Sequence, residues 1–374
     1  MSTLTNGLRA STLLVLCGWH AAVAQTRLDP RSTLHITLPD DSPVTVLSAD
    51  WGESTATARG GAMLLDLHTS LTLRNSAGRS IRGITLLVQA QDVTPGGRAS
   101  VSVPSLNVGS GDNFPVRIDL RLLRPLQAAN GPLVEISLDG VLFDDMSFYG
   151  PNRLNSRRSM TVWEMEARRD RQHFKQILES RGRDALRQEM LASLDRQADR
   201  RDLDIRVAQK VGGRSTATRD ERQVALAFLH VPSAPVTADA GSVRIASDEA
   251  RSPQITLRNR SGQPVRGIEM SWLVKDARGR EFAAGSTPID VNLGPRSVAT
   301  VIQDTTFRFS QPGGGPVPIG ELTAHLTSVE FTSGQVWVPG RSSRWPTPSP
   351  EEQRLAELYR KRGIEALVTE LNRF

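Results

Sequence analysis

Apolar and polar side chains alternate along most of this chain. Leu71 and Leu73 lie on one side of a period-two pattern, with Thr72 and Arg74 on the other, and Ile84, Leu86 and Val88 resume it further on. That period predicts strands with one buried face. Asn75 and Gly78 sit between the two runs; both residue types tolerate positive φ and suit a tight reversal. The whole stretch Leu71–Val88, LTLRNSAGRSIRGITLLV, returns 184 positions later as Ile255–Trp272, ITLRNRSGQPVRGIEMSW, with roughly eight of the eighteen positions identical. A match at fixed offset points to a duplicated unit.

The alternation extends around each copy. Leu34–Leu38, Val44–Ala49, Met63–Asn75, Gly83–Gln91, Ser100–Val108, Val116–Leu122, Val134–Leu138 and Val141–Tyr149 read as strands, with Trp51–Gly61 as a loop. Short strands separated by turn signals predict an antiparallel sandwich. The second copy, from about Gln223, has paired strands at Ile255–Arg258 and Arg266–Lys275. A turn at Asn292–Arg296 and alternation at Val298–Phe309 and Leu322–Thr327 follow. Val329–Phe331 and Val336-Trp337 match Val141–Phe143 and Phe148-Tyr149. Trp272 alternates with Ile268 and Met270 and is predicted to be core. Asn75 and Asn259 read as turn chemistry, Arg82 and Arg266 as exposed strand-edge charge.

A change of period follows each β-copy. FKQILESRGRDAL at Phe174–Leu186 and LAELYRKRGIEAL at Leu355–Leu367 both read helix, Arg-Gly, helix. Gly182 and Gly363 end one helix and bend the chain into the next. Ser349, Pro350 and Glu352 supply an N-cap, N1 and N3. Met160–Glu166 fits either a strand or a helix, and its continuity with the following stretch favours helix from about Ser159. Each tail is expected to cover its own sandwich, Phe174, Ile177 and Leu178 packing on the sheet. The predicted plan is a leader over 1–24, a sandwich over 33–150, a helical tail over 151–197, a linker over 198–222, a second sandwich over 223–345 and a second helical tail over 346–374.

Arg9, the apolar run from Thr12 to Cys17 and Ala22-Val23-Ala24 predict a cleaved secretory leader. The rival, a lipidated Cys17, is disfavoured by the bulky Leu16 before it. Cys17 is the only cysteine, so an exported mature chain holds its cores by packing without disulfides, as suits a bacterial periplasmic or secreted protein. No other run approaches the length of a membrane span. A formal net charge of +6 comes from 46 basic and 40 acidic residues. The Arg-rich 153–206 stretch is interrupted by Glu164, Glu166, Asp170 and Glu179, a solvated-face pattern that argues against nucleic acid.

Chemistry-bearing motifs are missing. His68, His230 and His325 lie in strand-like runs with no metal-ligand spacing. Gly313–Gly315 precedes prolines, not a helix, and is no phosphate cradle. Asp139, Asp144 and Asp145 allow a weak Ca²⁺ site, but the second copy has Thr332-Ser333 in place of the Asp pair. No residue is assigned a catalytic, cofactor-binding or metal-ligating role. With their alternating strands, Asn/Gly turns and the later NLGPR turn, the two β-copies resemble bacterial exported immunoglobulin-like modules of adhesion or binding type. The resemblance implies tandem Ig-like sandwiches and a non-enzymatic binding or scaffold protein of the cell envelope, its partner a protein or other envelope component. A chaperone-like protein offering a sheet edge to client strands, and an enzyme with a site between domains, are the alternatives.

Overall fold

The computed structural model describes residues 25–27, 34–59, 61–90, 97–125, 132–209, 221–341 and 348–374. The leader expected over 1–24, Cys17 included, lies outside these residues. The first half runs β1 (Gln25–Arg27), β2 (Leu34–Thr37), β3 (Val44–Asp50), β4 (Thr55–Arg59), β5 (Ala62–Asn75), β6 (Ile81–Gln89), β7 (Arg98–Val103), β8 (Asn113–Pro125), β9 (Val134–Phe143) and β10 (Phe148–Tyr149), then the bent helix α1 (Ser156–Ala198). The second half runs β11 (Asp202–Gln209), β12 (Arg222–Ala225), β13 (Ala227–Phe228), β14 (Val236–Ala246), β15 (Glu249–Asn259), β16 (Val265–Lys275), β17 (Glu281–Leu293), β18 (Val298–Ile302), β19 (Thr305–Ser310), β20 (Glu321–Phe331) and β21 (Val336–Trp337), then α2 (Pro350–Asn372). The chain is therefore mainly β, with two helices.

In the first half β5 is the spine of one sheet. β8 runs along one side of it, β3 and β4 share the other, and β1 lies beyond β4. β6 and β9 centre the second sheet, with β7, β10 and β2 around them. Inward side chains of both sheets, among them Leu65, Leu73, Ile84, Val88, Val116 and Ile136, form one core. The second half has the same pairings. Val236 faces Asn259 as Val44 faces Asn75, and Val265 faces Phe331 as Ile81 faces Phe143. The register slips just after each of the last two pairs, at the same place in both halves. Trp272 is fully buried, as its alternation predicts; its indole N–H donates to Thr287 Oγ1 at 2.8 Å and its ring meets Phe307.

Two expectations about elements need correction, and one strand was not expected. Residues 198–222 are not a plain linker, because Leu203 and Ile205 alternate with Asp204 and Arg206 to make β11. β11 pairs antiparallel with β19 and, over Asp202–Leu203, parallel with β17. It thereby joins two facing sheets into one eleven-stranded sheet around a single core. Its charged residues hid a strand with only two inward aliphatics. Trp51–Gly61 contains β4, whose small residues carry little period signal. Glu281–Leu293 is β17, where Gly285, Ser286 and Pro288 interrupt the apolar pattern.

The helical tails bend where the glycines predict. Gly182 has φ 81°, ψ −178° and Gly363 has φ 77°, ψ −174°, a conformation reserved to glycine. Met160–Glu166 is helical, and Ser349 Oγ caps α2 by accepting from Glu352 N at 3.1 Å. Where the tails pack differs from expectation. Phe174, Ile177, Leu186 and Met190 of α1 meet Leu355, Leu367 and Leu371 of α2 in a third core of their own. The start of α1 does lie on its own half, with Met160 Sδ 3.0 Å from where a Cβ on Gly83 would stand. It also reaches across, Arg158 approaching Glu330 at 3.8 Å. The end of α2 reaches the first half, where Asn107 Nδ2 donates to Arg373 O at 3.0 Å. Facing each other, the two tails bury their apolar faces in a shared core.

Buried charge fixes how the tails meet. Arg171 donates to Glu164 at 3.0 Å and to Glu351 at 3.2 Å, and Arg354 holds Glu351 and Glu370. Asp170, fully buried, accepts from Arg169, Arg341 and the Ser349 hydroxyl. Such pairs add little over apolar packing but punish any docking that leaves one partner alone, by about 3–5 kcal/mol.

Candidate functional site

One face of α1 does not touch the helical core. Ser159, Val162, Trp163, Glu166, Arg169 and His173 recur at three- and four-residue spacing and so share that face. It looks onto the outer surface of β16, β17 and β20. There the residues pointing away from the core are Glu269, Ser271, Ser286, His325 and Thr327. Pro339, Arg341 and the first turn of α2 close one end. Between these walls lies a cleft of about 630 Å³, the size of a small-molecule site.

The cations of the cleft are already engaged. Arg169 binds Asp170 at 2.9 Å and Pro339 O at 2.9 Å; Arg341 binds Asp170 at 3.2 Å and Glu352 at 2.9 Å; Arg196 binds Glu352 at 3.1 Å. Glu269 accepts from the hydroxyls of Ser286 and Ser328. The Ser271 hydroxyl donates to Ala284 O at 3.2 Å. Glu166 differs: it makes no hydrogen bond or ion pair among the described residues. Its enclosure pushes its carboxyl up to about 7, Asp170 and Glu269 adding to the rise and Arg169 opposing it. Burial draws the His325 imidazole down to about 4 and also lowers His173, which Arg341 depresses further.

The residues singled out in sequence are spread elsewhere, except His325. Asn75 and Asn259 are buried turn anchors. Asn75 Nδ2 donates to Arg79 O, Val108 O and Gly109 O at 2.8, 3.1 and 2.9 Å, and its Oδ1 accepts from Ala77 N. Arg82 and Arg266 are not idle edge charges. Arg82 donates to Asn107 Oδ1 at 2.6 Å and lies near the Phe374 ring, while Arg266 pairs with Glu330. Asp139 receives Arg153 N and Leu154 N just before α1, and Asp145 is held by Ser147 and Arg79, which keep its carboxyl down at about 2. No group of three metal-binding side chains occurs among the described residues. His68 lies against Asp119 at the surface, and Gly313–Gly315 is a turn.

The cleft was missed because its walls come from elements far apart in sequence. A usable signal existed: Glu269 and Ser271 are polar on β16, where the first half has Thr85 and Leu87.

No family model and no curated protein matches this chain. Among solved structures it is similar to one named pT26-6p, at 8% identity and a TM-score of 0.17, over 88% of this chain and 72% of that one. A two-domain protein of unknown function from Bacteroides fragilis matches at 8% identity and 0.11, over 81% and 93%. The red sea bream transglutaminase matches at 9% and 0.13, over 76% and 31%. Scores this low bear on neither fold nor activity. No helix among the described residues is long and apolar enough to cross a membrane.

Proposed function

We propose that this chain is a non-enzymatic, exported binding or scaffold protein of the bacterial cell envelope, made of a duplicated immunoglobulin-like unit with a helical tail, and that it holds its ligand in the α1 cleft. The cleft carries the proposal: a ligand there touches α1, the second sheet and the start of α2 together. Matching registers and register slips in the two halves support the duplication. Nucleic acid is disfavoured because α1 arginines sit beside acidic partners, Arg168 with Glu164 and Arg183 with Glu365. A strand-holding chaperone is disfavoured at β8, whose exposed face carries Pro115, Arg117, Asp119 and Arg121, a blunted edge. An enzyme reading draws on Glu166, since a carboxyl raised toward neutrality beside a second carboxylate suits acid–base work. The cleft serines Ser271 and Ser286 are spent on Ala284 O and Glu269 and are not set up as nucleophiles.

The test uses Gly285, which lines the cleft and has no atom within 4 Å of where a Cβ would stand. Gly285→Trp fills the space without backbone strain. Envelope fractions that raise the Tm of the wild type should leave this variant unmoved. Equal shifts in both, or full-length protein retaining Met1 in the cytoplasm, count against the proposal.

A further inference from the structure

Every arginine on the cleft wall is neutralised within the protein, and Glu269 is satisfied by two serine hydroxyls. Among the carboxylates of the cleft, Glu166 alone has no hydrogen bond or ion pair among the described residues. Removing a carboxylate from water without a partner is costly. Part-buried and lining the open cleft, it is placed to accept a partner that brings a positive charge and N–H donors. Trp163 lies one helical turn before Glu166 on the same face, so an aromatic ring flanks the carboxyl. A cation beside both gains an ion pair and a ring contact at once.

We infer that the cleft binds the protonated amine of its ligand, with Glu166 as the anionic acceptor and Trp163 as the adjoining ring. This rests on the cleft being the binding site, and names the ligand class that it takes. The unliganded carboxyl holds a proton near neutrality; an incoming ammonium releases that proton to solvent and pairs with the carboxylate. Binding therefore tightens as pH rises through about 7. The other groups facing Glu166 leave that sign unchanged. Arg169, Asp170 and Glu269 are the charged groups nearest it, His325 stays neutral because burial holds it down at about 4, and burial and then Arg341 lower His173 on the same face.

The test is calorimetry with n-butylamine, with n-butanol and butyrate as neutral and anionic counterparts. Butylamine should bind, and the other two should not. If only ionised Glu166 accepts the amine, affinity should rise about thirtyfold from pH 5.5 to 8. Glu166→Gln, nearly isosteric, should weaken binding at pH 8 and flatten the pH dependence, with the fold intact by circular dichroism. Preference for butyrate or butanol, or an amine affinity that Glu166→Gln leaves unchanged, overturns the inference. Failure of the amine with envelope fractions still discriminating Gly285→Trp would reject the ligand class and keep the cleft. Amine binding that persists in Gly285→Trp would place it elsewhere.

Discussion

Replacing Asn75 with Ala removes one buried side chain and four hydrogen bonds. Three carbonyls, of Arg79, Val108 and Gly109, lose their donor, and Ala77 N loses its acceptor. At about 0.5–1.5 kcal/mol for each bond, and more for any group left dry, the loss should be about 3–5 kcal/mol. Urea unfolding measures the size, and hydrogen exchange of peptides from β5 and β6 shows where it falls. Asn75→Asp sharpens the prediction. The new carboxylate keeps an acceptor for Ala77 N but turns an oxygen toward three carbonyls, so it should harm at least as much as Ala at pH 8. That carboxyl has a raised pKa in the folded state, so the extra damage should shrink as pH falls and it takes up a proton. Asn259→Ala, losing bonds to Gln263 O and Gly294 O, should act likewise on the second half. A loss under about 1 kcal/mol for Asn75→Ala, or exchange rising equally across both halves, would refute the idea that these amides staple their turns.

Trp272→Ala should cost about 3–5 kcal/mol, read as a fall in thermal midpoint, since it empties a fully buried site and leaves Thr287 Oγ1 without its donor. Gly363→Ala should cost about 1–3 kcal/mol, because the conformation at φ 77°, ψ −174° is closed to other residues, and near-ultraviolet circular dichroism should report loosened tail packing. His325 is held neutral at about 4 against an ordinary 6.5, so the unfolded chain takes up its proton first on acidification. Stability should therefore fall by about 3 kcal/mol as pH drops from 6.5 to 4, and His325→Asn should flatten that slope in urea titrations.

Much of the β framework could be read in the sequence, because alternation is a local property and β5, β8 and β16 show it cleanly. The bends at Gly182 and Gly363 were legible for the same reason: one residue type answers one backbone demand. β11 was hidden, its two inward aliphatics, Leu203 and Ile205, lying among charges that composition assigns to a linker. Tail packing was half legible. The apolar faces of Phe174 and Leu367 announced a buried surface, but periodicity cannot say whether the cover is a sheet or another helix. The cleft was least legible, since Glu166 and Glu269 stand about a hundred residues apart and meet only in the folded chain. Nothing local marks Glu166 as different from an ordinary surface carboxylate, and only comparison with the first copy sets Glu269 and Ser271 apart.

The helical core has a consequence for the order of maturation. One of its walls belongs to α1 and the other to α2, which lies more than 150 residues later. A ribosome or translocase delivers the first wall long before the second. Throughout that interval Phe174, Ile177, Leu186 and Met190 have no native cover, and by its end both β cores can already have closed. The emergence of α2 thus decides when the molecule ceases to be adhesive, and a chain truncated before Ser349 stays permanently in that unfinished state.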